Sequence, residues 1–205
     1  MTEPTATPTI VRRTVVIFDI CSSTAILEDL VRTENVIRWQ TVLGLLKRFL
    51  WTEGGNRSFQ MYKFTGDGWI LLFDDAHVDG DWLIGLMKRL CVEYERLFND
   101  NVVDVLSSMP SVIGITFGVD EGSLVEITMN KLREYVGRPL NVAARLQSAI
   151  KQFDAYPAGT ALFSSNAFSR LKPRIASEPV ECKLPNVLGG ERYRVRKVVV
   201  DHPAA

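Results

Sequence analysis

Apolar positions fall along this chain in short continuous runs and in helical stripes, and the two patterns alternate. Residues 14–20 (TVVIFDI) are a nearly unbroken apolar run closed by Asp19. That is the pattern of a buried central strand whose carboxylate emerges at its C-terminal end. Cys21, Ser22, Ser23 and Thr24 are small and polar, and apolar periodicity begins at Ala25, so a strand–loop–helix junction is predicted. Residues 33–51 predict a helix with Val36, Leu43, Leu46 and Leu50 on one stripe, ended by Glu53-Gly54-Gly55-Asn56. Residues 61–73 (MYKFTGDGWILLF) place two strand-like runs around Thr65-Gly66-Asp67-Gly68, a hairpin with Asp67 at its tip. Residues 81–99 predict a second amphipathic helix, with Trp82, Leu86, Leu90 and Leu97 near one face.

Further on, residues 111–119 predict a strand, with 124–129 as its hairpin partner across Asp120-Glu121-Gly122-Ser123. Glu134-Tyr135-Val136-Gly137 then leads into a helix with Pro139 near its start. Asn141, Arg145 and Ser148 share a polar stripe of that helix, and Val142, Leu146 and Ile150 an apolar one. A strand at 160–163, a short helix at 165–171, and strands near 175–183 and 192–200 around a turn at 185–190 complete the pattern. The order predicts an α+β fold with a mixed or antiparallel sheet packed with helices, opening with the ferredoxin-like β-α-β-β-α-β unit.

The length of 205 residues suits one domain with a substantial core. Residues 1–13, Thr- and Pro-rich at their start and without signal-peptide features, are expected as a disordered lead-in, 14–200 as the domain, and 201–205 as a tail. Lys plus Arg and Asp plus Glu both number 24, so no basic excess points to nucleic acid. No stretch is apolar over the length that spans a bilayer. Cys21, Cys91 and Cys182 lie far apart and read as free thiols of a reducing, cytoplasmic compartment. No base neighbours Cys21 in sequence, so no nucleophilic role is assigned to it. His77 and His202 are too scattered for a histidine-based metal site.

Taken alone, each polar position has an ordinary explanation. Asp67 suits a solvated turn, and Asp19 or Ser22 a helix cap. Asn141 and Arg145 suit an exposed helix face, Glu134 a surface position and Tyr62 the core. Three ordered pieces change that balance: FDICSST with Asp19, KFTGDG with Asp67, and EYVGRPLNVAARL with Asn141 and Arg145. Together, across residues 14–150, they resemble the catalytic domain of class III nucleotide cyclases.

The resemblance implies that Asp19 and Asp67, with the Ile20 carbonyl, hold two divalent ions, Mn²⁺ or Mg²⁺. The loop of Cys21, Ser22, Ser23 and Thr24 would cradle the β- and γ-phosphates. Asn141 would orient the ribose, Arg145 would stabilise charge on the α-phosphate, and Lys63 and Glu134 would select the base. Lys183 is carried over as a candidate triphosphate contact. The resemblance also implies a head-to-tail homodimer, in which the metal aspartates and the Asn141/Arg145 pair of each site come from opposite subunits.

Lys63 argues against a guanylate cyclase, and Glu134 is one methylene longer than the aspartate common in adenylate cyclases. The finer texture is similar to the stand-alone pyrimidine cyclases of bacterial Pycsar antiphage defence, the uridylate cyclases above all. That similarity implies cyclic UMP made from UTP, a downstream effector that binds the cyclic nucleotide, and Tyr62 narrowing the base pocket. Adjacent residues of a regular strand face opposite sides, so Tyr62 and Lys63 share a pocket only if the strand bulges. An adenylate cyclase, a cytidylate cyclase, and a degenerate cyclase fold serving as a nucleotide-binding or dimerisation module stay open as alternatives.

Overall fold

The computed structural model describes residues 7–56 and 59–200. Its centre is β1 (Thr9–Ile20), buried without interruption from Thr14 to Phe18. A run of that kind must be covered on both faces, and it is. After it come α1 (Ser23–Arg32), α2 (Val36–Asn56), β2 (Phe59–Phe64), β3 (Gly68–Asp74), α3 (Gly80–Asn101), β4 (Ile115–Met129), β5 (Leu132–Val136) and α4 (Arg138–Ala149). β6 (Thr160–Ser164), α5 (Ser165–Leu171), β7 (Glu178–Cys182) and β8 (Tyr193–Val199) close the fold.

One mixed sheet runs β2-β3-β1-β4-β6-β8-β7, with β5 paired to the far end of β4. Its first four strands pair antiparallel and give the expected ferredoxin-like unit; β4 and β6 then pair parallel. Val16, Phe18 and Ile20 meet α2 and α3 through Leu46, Leu50, Leu86 and Leu90 on one face. Val15 and Ile17 face the other way, with Leu72, Leu124, Tyr135 and Ala143 of α4. Asp19 follows the same alternation and therefore points to the α4 side. α4 sits close to the sheet because Gly118 of β4 has no side chain: a Cβ there would stand 2.0 Å from the Ala143 carbonyl oxygen.

Three boundaries differ from expectation. The helix expected over 33–51 starts after a break at Thr33-Glu34-Asn35 and runs on through Gly54 and Gly55. β1 begins at Thr9, inside the expected lead-in; residues 1–6 and the 201–205 tail, His202 included, lie outside the described residues. The largest correction concerns Asp120-Glu121-Gly122-Ser123, which is no turn. β4 runs straight through it, and the hairpin turns at Asn130-Lys131, both at positive φ, to reach β5. The acidic pair survives inside a strand because it is partnered. Ser164 Oγ donates to Asp120, while Arg12 and Arg170 pair with Glu121 at 2.7 and 3.5 Å.

Candidate active site

Two backbone pairings bring Asp19 and Asp67 together. Asp19 opposes Gly68 in the β1–β3 register, and the Ile20 N–H donates to the Asp67 carbonyl at 3.2 Å, tying the hairpin tip to the end of β1. Gly68 permits this closeness, since a Cβ there would lie 1.8 Å from the Phe18 carbonyl oxygen. The two carboxyl groups line the same cavity. Burial, then contact with Asp67, pushes Asp19 up to about 7, against the opposing pull of Lys151 and Gln147. Ser23 Oγ donates to Asp67. Gln147 Nε2 donates to Asp19 at 3.4 Å and to Thr116 Oγ1 at 2.9 Å.

These groups open onto a cavity of about 550 Å³. One wall is Ile20, Cys21, Ser22, Ser23 and Thr24, and the other is the end of α4 with Lys151 and Asp154. Ser22 adopts a left-handed conformation (φ 57°) at the N-cap of α1, and no side chain caps that helix. The capping alternative for Asp19 and Ser22 therefore does not hold, and the first-turn N–H groups are left for a ligand, as at other anion-binding helix starts. Burial pushes the Cys21 thiol up to about 11, so the thiolate is disfavoured.

The residues expected to select the base form a second group. Tyr62 donates its hydroxyl proton to Glu134 and accepts from the Tyr135 N–H at 3.0 Å, while Lys63 Nζ lies 2.7 Å from Glu134. The β2–β3 register shifts between Met61 and Lys63. That bulge is what lets neighbouring side chains converge on one carboxylate. Leu140 and Ala144 pack in the same apolar cluster as Tyr62 and Tyr135, so the start of α4 lies beside this group. Asn141 and Arg145 are exposed on α4, and among the described residues neither makes a side-chain hydrogen bond or ion pair.

The expected site thus divides. Asp19, Ile20, Asp67 and the 21–24 loop share one cavity, whereas Asn141, Arg145, Tyr62, Lys63 and Glu134 do not line it. Lys183 lies apart from the cavity lining and pairs with Glu191 at 3.0 Å. Sequence reasoning missed Gln147, Lys151, Thr116 and Asp154. The readable signal for Gln147 was a polar residue beside Leu146 on the buried side of an amphipathic helix.

Among the described residues no three His, Cys, Asp or Glu side chains are grouped to hold a metal ion. The donor set is instead two carboxylates and a carbonyl, hard oxygen ligands that suit Mg²⁺ or Mn²⁺ when substrate and water supply the rest. The crowding that raises Asp19 is what a bound dication would relieve, so the residues present fit such an ion.

No protein-family profile and no curated protein matches the chain. Solved structures do. The adenylyl cyclase CyaB from P. aeruginosa superimposes with a TM-score of 0.72 at 18% identity, over 98% of this chain and 100% of that one. The guanylyl cyclase Cya2 gives 0.70 at 18% identity, over 97% of each chain. The fold is that of a nucleotide cyclase catalytic domain. A bacterial light-regulated adenylyl cyclase gives 0.70 at 18% identity; the chain aligns over 98% of its own length but spans only 55% of that protein. The cyclase fold accounts for the mixed sheet with helices on both faces.

Proposed function

We propose that this protein is a metal-dependent nucleotide cyclase, and that it makes cyclic UMP from UTP. The observation that carries the cyclase reading is the paired carboxylate site of Asp19 and Asp67, facing an uncapped helix start across one cavity of about 550 Å³. In the reaction the ribose 3′-oxygen forms a bond to the α-phosphorus, the bond to the bridging oxygen of the β-phosphate breaks, and pyrophosphate leaves with that electron pair. The 3′-hydroxyl proton passes to solvent. Divalent ions on Asp19, Asp67 and the Ile20 carbonyl would lower the pKa of the attacking hydroxyl and neutralise the triphosphate.

The chain's own residues do the rest. The 21–24 loop binds phosphate oxygens through its N–H groups. Asn141 orients the ribose, and Arg145 holds a fixed positive charge against the α-phosphate as its charge develops. The separation of Asn141 and Arg145 from the carboxylates supports a site assembled from two copies, with each copy giving one half. The Tyr62–Glu134–Lys63 cluster supports a pocket narrowed for a small base. On this reading the cyclic nucleotide acts on a separate effector, in antiphage defence of the Pycsar type. Adenylate cyclase activity is the second reading, favoured by the Lys63–Glu134 pair.

ATP, GTP, CTP and UTP are each to be supplied with Mg²⁺ and with Mn²⁺, and the products weighed by mass spectrometry. Cyclic UMP as the main product supports the proposal, and cyclic AMP selects the second reading. Asp19→Ala and Arg145→Ala chains should each lose activity by at least ~100-fold, in line with the loss of a transition-state electrostatic contact. Mixing the two inactive chains should restore part of it. No recovery despite proven subunit exchange would overturn the shared site.

A further inference from the structure

Lys151 is the one lysine or arginine among the residues lining the Asp19/Asp67 cavity, where Asp154 adds a third carboxylate. It follows α4 directly, in a 3-10 turn spanning Ile150–Gln152. That turn is held firmly. Ile150 is buried, and the Gln152 amide bonds the Lys183 backbone in both directions, at 3.3 and 3.5 Å. The lysine side chain is exposed at the cavity mouth, and among the described residues it makes no hydrogen bond or ion pair. An anchored backbone with an uncommitted ammonium group, facing the uncapped start of α1 across a cavity, is an arrangement for closing on an anion.

We propose that Lys151 grips the β- and γ-phosphates of the substrate, and then the departing pyrophosphate, from the same subunit that carries Asp19 and Asp67. This rests on the cyclase reading and adds a residue to it. The triphosphate and the two carboxylates together carry more negative charge than two divalent ions neutralise, and the loop N–H groups bring only partial charges. A full positive charge at this point offsets part of the remainder. It is worth most as the bond to the β-phosphate breaks, because charge then accumulates on the leaving group. Lys183, the candidate from sequence, is tied to Glu191 and lies apart from this cavity.

The test is calorimetric binding of inorganic pyrophosphate with Mg²⁺ to the full chain, on wild type and four variants, with circular dichroism as the check on folding. Lys151→Gln should weaken binding about ten- to a hundredfold, as expected for a lost charge-assisted contact. Lys151→Arg should stay near wild type, and Lys88→Gln, an exposed lysine on α3, should not differ from it. In turnover, Lys151→Gln should raise KM and lower kcat together, since the contact is made in the ground state and strengthens in the transition state. Wild-type affinity in Lys151→Gln, with binding still abolished in Asp67→Ala, overturns the assignment and leaves the cyclase reading intact. A wild-type chain that binds no pyrophosphate with or without Mg²⁺ overturns both.

Discussion

Gly68 shows how much of this site depends on a single missing side chain. It is the residue of β3 directly opposite Asp19, and the Phe18 carbonyl occupies the space a Cβ would need, at 1.8 Å. Gly68→Ala must push the hairpin away from β1. It should cost about 1–3 kcal/mol of stability, as overpacking of a filled space does. It should also weaken Mg²⁺-dependent pyrophosphate binding by moving Asp67, the neighbouring residue. Denaturant unfolding and calorimetry on one sample check both effects. The carboxylates themselves were legible in sequence because Asp19 closes an apolar run, Asp67 sits at a hairpin tip, and the two fall in ordered pieces that resemble one family. Gln147 and Lys151 were not, because nothing local ties them to Asp19, 128 residues away in the case of Gln147.

At the scale of elements, the bulge in β2 decides which side chains reach Glu134. It turns Tyr62 and Lys63 toward one acceptor, Glu134, on a strand that is distant in sequence. Alternation alone sets those two side chains on opposite sides, so sequence could state the condition for a shared pocket but not fulfil it. The misplaced hairpin is the companion case. Asp120-Glu121-Gly122-Ser123 has turn composition, yet β1 pairs alongside β4 through that stretch and arginines neutralise Glu121. Tertiary pairing overrode a local signal. Tyr62→Phe removes the hydroxyl that bridges Glu134 and the Tyr135 N–H. Each lost hydrogen bond should cost ~0.5–1.5 kcal/mol. Relative kcat/KM across the four nucleotides should move more than the rate with the preferred one, because Glu134 is then held by Lys63 alone.

Across the whole molecule, the mixed sheet packed with helices and the opening ferredoxin-like unit followed from the alternation of runs and stripes. Their pairing partners depended on contacts that sequence spacing does not carry. Asp120 shows the cost of one such contact. It is buried at 2% exposure, and one of its oxygens has no hydrogen-bond partner among the described residues. Burial raises its pKa above 3.8, against the hydrogen bond from Ser164 and the charge of Arg138. A raised carboxyl pKa means that the folded state holds more protons than the unfolded state between the two values. Stability therefore falls as pH rises through that window. Asp120→Asn keeps an acceptor for Ser164 and removes the charge. Its unfolding midpoint relative to wild type should improve as pH rises above the ordinary carboxylate range. Thermal melts at a series of pH values measure this, and a difference that stays flat with pH would contradict it.

α4 ties these scales together. Asn141 and Arg145 project from its outer face, while Gln147 reaches inward to Asp19 and Lys151 follows at its end. In a dimer that joins opposite halves, this one rigid helix would serve two reaction centres at once. It would present ribose and phosphate contacts to one and steady a carboxylate of the other. A nucleotide that pulls on α4 from outside would also pull on Gln147 inside. The two centres would then communicate through a lever three turns long, and the response to substrate concentration would carry the cooperativity of a pair.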